Sequence, residues 1–100
     1  SNKVLDEKGS EIKQKYATRT FRITYNGLKG DMGAILGDPF NILNESEKDG
    51  FKLADIQLGN EVASSDLLLK LAPHANIHSF NELVPTMNDI FIKVVKENGG

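Results

Sequence analysis

Apolar and polar positions change their period along this 100-residue chain, and each change predicts a different element. Over residues 20 to 25 they alternate with period two, which is typical of a half-buried strand, and Asn26-Gly27 then supplies a turn signal. Over residues 28 to 36 the apolar residues return at helical spacing, although Gly30 and Gly33 weaken the pattern. This part of the chain therefore predicts a strand followed by a short helix.

A second pair of strands is predicted in the middle of the chain. Apolar runs at residues 40 to 44 and 51 to 58 flank a polar segment, and its last two residues, Asp49-Gly50, favour positive φ angles. The pattern predicts a hairpin. Three residues of its second strand are expected to share the buried face: Phe51, Leu53 and Leu58.

Apolar residues recur at helical spacing over residues 61 to 71, which predicts a second helix. Ser64 or Ser65 is expected to cap its start, and Pro73 is expected to end it. Ile77 and Phe80 then mark a short strand.

The end of the chain predicts a third helix, with Pro85 in its first turn, where a missing N–H costs nothing. Asp89 near its start and Lys96 near its end agree with the helix dipole. Its apolar stripe, which is expected to pack on a core, consists of Leu83, Met87, Ile90, Phe91 and Val94.

The order strand, helix, strand, strand, helix, strand, helix is that of an α+β protein. It predicts a ferredoxin-like βαββαβ sandwich, an antiparallel sheet with an additional C-terminal helix. We expect one domain over residues 17 to 97 and a tail over 98 to 100. Residues 1 to 16 are expected to be a tag remnant, Ser1-Asn2, and a connector with a short helix capped by Ser10.

Composition excludes several classes of function. A net charge of −2 with 26% charged residues offers no polybasic face, so nucleic acid is not an expected partner. The chain has no cysteine, which excludes a disulfide framework, a thiolate nucleophile and a zinc finger. No apolar run approaches the roughly 20 residues that span a bilayer, so direct membrane insertion is not expected.

The motifs for chemistry are missing from this sequence. No Gly-Lys-Ser/Thr occurs, so the chain lacks a phosphate-binding P-loop. His74 and His78 are expected to lie across a junction between helix and strand, without a third metal ligand. The acidic segment at Glu45, Glu47 and Asp49 has Ile56 where a calcium loop needs its bidentate acid. We therefore predict no catalytic, cofactor or metal site, and no enzyme activity.

The run from Val84 to Val95, together with the preceding Phe80, resembles the C-terminal segment of the proteins of a known family. This run contains Pro85-Thr86-Met87-Asn88-Asp89-Ile90-Phe91. This block resembles the closing segment of the C-terminal accessory domain of bacterial ABC transporter ATP-binding subunits, of the sodium-export and drug-exporter type. A Gly-Ser/Thr-x-x-Glu-Ile-Lys connection leaves the ATPase core in that family, and Gly9-Ser10-Glu11-Ile12-Lys13 is similar to it, with a shorter spacing.

The resemblance implies a non-catalytic regulatory module that acts by contact. Its implied partners are the ATP-binding domain of the same or a second subunit, the transmembrane permease, and a second copy in a homodimer. ATP and magnesium would belong to the parent protein, which is expected to be cytoplasmic at the inner face of the membrane through the permease. The residues that carry the family signature or are expected to make contacts are Phe80, Pro85, Asp89, Ile90, Phe91, Ile92 and Val95.

A small-molecule-sensing domain of the same fold is the alternative interpretation. Such a site would need polar groups that converge on a concavity, and the candidates are Asp38, Asn41, Asn44 and Asn60. The sequence leaves open the transported substrate, the oligomeric state, and whether the domain activates or inhibits the ATPase.

Overall fold

The computed structural model describes Lys13 and residues 17 to 98. The proposed tag remnant and the short helix expected after Ser10 lie outside the described residues. The chain divides into two compact units, residues 19 to 82 and residues 1 to 18 with 83 to 100. The expected domain limits of 17 to 97 stay a prediction.

Residues 19 to 82 contain four strands and two α-helices. In chain order these elements are β1 (Thr20–Asn26), α1 (Met32–Leu36), β2 (Phe40–Lys48), β3 (Phe51–Leu58), α2 (Ser64–Leu71), a 3-10 turn (Ala72–His74) and β4 (Asn76–Glu82). The described part of the other unit includes the helix α3 (Met87–Glu97). The predicted order of elements is confirmed.

The four strands form one sheet in the order β2-β3-β1-β4. Each neighbouring pair is antiparallel, and β1 and β3 are the two central strands. This order, with one helix after β1 and one after β3, is that of the split βαβ plan. The prediction of a ferredoxin-like α+β fold is confirmed.

One face of the sheet and the two helices of this unit share a single hydrophobic core. Ile23 from β1 and Ala54 and Ile56 from β3 are fully buried there, together with Leu67 and Leu71 of α2. Because side chains alternate along a strand, the residues between these positions point to the other face.

The expected buried face of β3 was partly wrong. Ala54, Ile56 and Leu58 share the core side, so Phe51 and Leu53 lie on the opposite face, where both are half-buried. The register explains the difference, because Ala54 pairs with Ile23 and Ile56 pairs with Phe21. A change of one residue moves every side chain to the other face.

The helix starts also differ from those predicted. Helix α1 begins at Met32 and not at Leu28, because the Asp31 carboxylate caps it by accepting a hydrogen bond from the Ala34 N–H at 3.0 Å. Helix α2 has Ala63 at its N-cap position, not Ser64 or Ser65.

At the start of α2, the Asp66 carboxylate accepts a hydrogen bond from the Ala63 N–H at 3.2 Å. This bond performs one half of a capping box without a hydroxyl at the cap. At the other end, Pro73 lies inside the 3-10 turn that continues the helix. The chain therefore runs past Leu71 for one tighter turn before β4 begins.

The β2–β3 hairpin turns at Asp49 and Gly50, whose φ angles are 54° and 82°. The expected positive φ at these two residues is confirmed. We expect Gly50→Ala to lower the free energy of unfolding by about 1 to 2 kcal/mol, because an L-residue is strained there. Urea unfolding followed by circular dichroism measures the loss. Asp49→Gly is the control and should change stability by less than about 0.5 kcal/mol; equal losses in both variants would contradict the backbone explanation.

Candidate functional site

The described residues assemble no candidate metal centre. Within residues 13 and 17 to 98, no three His, Cys, Asp or Glu side chains lie close enough to hold a metal ion. His74 ends the 3-10 turn and His78 lies in β4, so the two lie across a junction between helix and strand, as Pro73 and the strand expected at Ile77 predicted. The His78 ring stacks on Phe51, with 4.2 Å between ring centroids.

The alternative site for a small molecule is not assembled as expected. Asp38 precedes β2, Asn41 and Asn44 lie in that strand, and Asn60 follows β3. Three cavities of about 410 to 500 Å³ lie within residues 19 to 82, and none of these four side chains lines any of them.

Helix α3 has a well-defined start. The Thr86 hydroxyl accepts a hydrogen bond from the Asp89 N–H at 3.0 Å, and the Asp89 carboxylate accepts one from the Thr86 N–H at 3.1 Å. These reciprocal bonds form a capping box. The pKa of the Asp89 carboxyl is lowered mainly by the hydrogen bond from the Thr86 backbone. The hydrogen bond with the Thr86 side chain is the second cause. Asp89 of the predicted signature therefore fixes where the helix begins.

This capping box corrects the prediction for Pro85. Thr86 is the N-cap and Met87 is the first helical residue, so Pro85 lies outside the helix and not in its first turn. Its fixed φ angle suits the extended segment that leads into the cap. At the other end, the Asn98 N–H donates to the Val94 carbonyl at 3.1 Å.

Most of the apolar surface of α3 is exposed. Ile90 is only 4% exposed, whereas Phe91 is 66% exposed and Met87, Ile92 and Val95 are 40 to 46% exposed. The prediction that Met87 and Phe91 belong to a core-packing stripe is wrong. Apolar residues cover more of the circumference of α3 than the side around Ile90 that is buried. The spacing of these residues alone therefore does not show which side of the helix is buried.

The exposed residues of α3 form one continuous surface. Met87, Phe91 and Val95 follow each other at intervals of four and lie along one line on the helix, and Ile92 lies three residues from Val95. We call these four residues the exposed α3 face. Ile92 and Val95 were expected from the sequence to make contacts, and both belong to the exposed α3 face.

Phe80 has a different position from the other signature residues. It lies in β4 and its ring stacks on Phe21 of β1, with 5.1 Å between centroids and 11° between ring planes. Both rings pack against the core of the sheet. Phe80 therefore stabilises the sheet, and it does not belong to the exposed α3 face.

A polar pair that sequence reasoning missed lies on the sheet face opposite the core. Arg22 and Asp55 are cross-strand neighbours, and the guanidinium donates from Nε to Oδ1 at 2.8 Å and from Nη2 to Oδ2 at 3.0 Å. This hydrogen bonding lowers the pKa of Asp55, although burial opposes the shift, and it raises the pKa of Arg22. On the same face, Thr24 and Ser79 join their hydroxyls by a hydrogen bond. In the sequence, the only signal for this pair was the charge of Arg22 on the polar side of the alternating strand β1.

The geometry defines a class of protein, a small α+β domain with a ferredoxin-like fold. Comparison with known families identifies it further. The model of the family "ATP-binding protein DrrA1-3-like, C-terminal domain" matches residues 8 to 95, and the chain belongs to this family. No curated protein and no solved structure matched the chain. The resemblance to the C-terminal accessory domain of ABC ATP-binding subunits is therefore confirmed.

The family assignment concerns a domain that is not the ATP-binding domain itself. It agrees with the absence of a P-loop from this sequence. Among the described residues, no helix combines the length and the apolar character that crossing a bilayer requires.

Proposed function

We propose that this chain is a regulatory contact domain of an ABC transporter ATP-binding subunit, and that the exposed α3 face docks on the ATP-binding domain. The observation that carries the proposal is the exposure of Phe91, which is 66% accessible on a helix with a strong cap. A large aromatic side chain next to other exposed apolar groups is typical of a protein contact surface.

The family supports the choice of partner. Its members are C-terminal domains of ATP-binding proteins, so the ATP-binding domain is the partner that shares their polypeptide. A shared polypeptide raises the effective concentration of one domain around the other, and a modest apolar surface is then sufficient for docking. The contact is with the ATP-binding domain of the same subunit or of a second subunit in the ATPase dimer.

Regulation follows from a difference in contact between two states. A domain attached to the ATPase shifts the balance between open and closed nucleotide-bound dimers only if it binds one state more tightly. The same coupling makes nucleotide binding alter the docking of this domain. ATP and Mg²⁺ act in the parent ATPase domain, and the whole subunit works at the inner face of the membrane through its permease.

The test uses the full-length parent subunit with its permease. Phe91→Asp is expected to change the ATPase rate or the nucleotide-dependent dimerisation constant by at least about threefold, because it places a charge in the docked surface. Leu69→Asp is the matched control, since Leu69 is 72% exposed on α2 and lies outside the exposed α3 face. The control should change both quantities by less than twofold, as expected for an isolated exposed position.

Two further measurements make the outcome decisive. Circular dichroism of each variant checks that the subunit is folded, and removal of residues 83 to 100 provides the complete loss of the surface. Unchanged ATPase rate and dimerisation in both the Phe91→Asp and the truncated subunit would overturn the proposal. An effect that appears only when the permease is present would move the docking site to the permease.

A further inference from the structure

The core-side face of the sheet is left partly open near the β2–β3 hairpin. Tyr25, Lys52 and Glu47 form one cross-strand row there. Helix α1 has only five residues and is preceded by the loop that holds Leu28. A cavity of about 500 Å³ lies between this loop and the row.

The cavity has an acidic side and an apolar side. Its lining includes the carboxylates of Asp31, Glu45 and Glu47, one cationic group, Lys52, and the apolar residue Leu28. The ion pair of Arg22 with Asp55 lies on the opposite face of the sheet, and no ion pair joins Glu45 or Glu47 to another described residue. Negative groups therefore outnumber positive ones around the cavity.

Tyr25 adds a second and independent feature of this cavity. Its side chain is only 2% exposed and lines the cavity, yet no hydrogen bond joins its hydroxyl to another described residue. Among the described residues, Arg19 Nε is the one side-chain nitrogen or oxygen that is inaccessible to solvent and has no hydrogen-bond partner. The Tyr25 hydroxyl is therefore not sealed, and the accessible space beside this tyrosine is the cavity.

The surroundings of this hydroxyl are electronegative. Burial is the larger cause of a raised pKa of the Tyr25 phenol, and the negative charge of Glu45 adds to it. The phenol therefore stays protonated and has both a donor and an acceptor to offer. Because the hydroxyl is accessible from the cavity, a ligand there with a complementary group can form a hydrogen bond with it.

We propose that this cavity binds a small organic cation with a protonated primary amine and an apolar body. The ammonium group donates hydrogen bonds to the carboxylates of Glu45 and Glu47 and to the Tyr25 hydroxyl. The apolar body contacts Leu28 and Met32. A cavity of about 500 Å³ lies in the range of small-molecule sites. This inference does not depend on the proposed role of α3, because every residue that lines the cavity lies within residues 19 to 82.

Two probes of nearly the same shape and opposite charge test the proposal. 2-Phenylethylamine is a cation at pH 7, and 3-phenylpropanoate has the same ring and a similar chain with a negative charge. Each is titrated into the 100-residue chain and followed by ¹H–¹⁵N NMR. We expect saturable shifts with the cation at Tyr25, Gly33, Glu45 and Lys52, and none with the anion. No saturable shift up to about 10 mM cation, shifts only elsewhere, or equal binding of both probes would overturn the proposal.

Variants of the lining residues assign the contacts. Glu45→Gln and Glu47→Gln should each raise the Kd of 2-phenylethylamine by about 3- to 10-fold, since each removes a charge-assisted hydrogen bond. Tyr25→Phe keeps the ring, removes the hydroxyl and should raise the Kd by about 3-fold. Glu97→Gln on α3 is the matched control and should leave the Kd unchanged.

The amide spectrum without ligand shows whether each variant is folded. If Tyr25→Phe alters the fold, the two glutamate variants, whose side chains are exposed, still decide the question. A Kd that is the same in the Glu45→Gln and Glu47→Gln double variant as in the unaltered chain would overturn the proposed ammonium site.

Discussion

Leu67→Ala should lower the free energy of unfolding by about 3 kcal/mol, the largest effect that we expect from a single substitution in this chain. Leu67 lies in α2, is fully buried and contacts the core that the two helices share with the sheet. Its truncation removes apolar contacts and leaves a cavity, because a close-packed core collapses only in part. Helix propensity does not explain such a loss, since alanine favours the helix.

Urea unfolding followed by circular dichroism measures the effect of Leu67→Ala. A loss of this size should lower the urea midpoint by roughly 2 M with little change in slope. Leu69→Ala is a closely matched control, because the same residue type lies two positions away on the same helix and is 72% exposed. The control should change stability by less than about 0.5 kcal/mol. Similar losses in the two variants would contradict the assignment of the buried face of α2.

The hairpin and the central strands were the parts of the fold that the sequence predicted best. Alternation over residues 20 to 25 identifies β1, and Asp49-Gly50 identifies the hairpin turn. These signals are local, because each depends on neighbouring residues that share one strand or one turn. The connection order then leaves few ways to arrange four antiparallel strands, so the ferredoxin-like fold followed.

The assignment of faces was harder because it depends on partners that are distant in the sequence. Phe51 and Leu53 are as apolar as Ile56, yet only the pairing of β3 with β1 determines which of them faces the core. The same limit applies to α3, where Ile90 and Phe91 are adjacent and apolar and only Ile90 is buried. A helical pattern gives the period and does not give the packed side.

The two candidate sites lie beside a helix that is short, α1, and on a helix whose apolar residues are mostly exposed, α3. Tyr25 has the pattern of an ordinary strand residue, and its hydroxyl becomes notable only because the five-residue α1 leaves the hairpin end of the sheet open. The length of that helix depends on the Asp31 cap, which sequence reasoning placed inside the helical segment. Candidate sites of this kind come from the ends of elements and not from motifs.

Asp55→Asn should make the unfolding free energy less dependent on pH, and this prediction tests the polar face of the sheet. Asp55 is 7% exposed and accepts two hydrogen bonds from Arg22, which hold its pKa below the usual value. The folded state therefore binds this proton less readily than the unfolded state does. Its contribution to stability is complete above the unfolded pKa of about 4 and disappears as the pH falls through the lower, folded pKa.

At pH 7, the Asp55→Asn variant should be less stable than the unaltered chain by about 1 to 2 kcal/mol; this figure is reduced because the Arg22 side chain is 43% exposed. The difference between the two should shrink as the pH falls below about 4, because the carboxyl of the unfolded chain is protonated first and that of the folded chain only at its lower pKa. Urea unfolding from pH 7 to pH 3 measures it. Asp49→Asn makes the same chemical change at the exposed hairpin turn and should change stability at pH 7 by less than about 0.5 kcal/mol. If the Asp55→Asn difference stays constant over this pH range, the bond to Arg22 does not act through the ionised carboxylate. The packing of the side chain would then be the whole of its contribution.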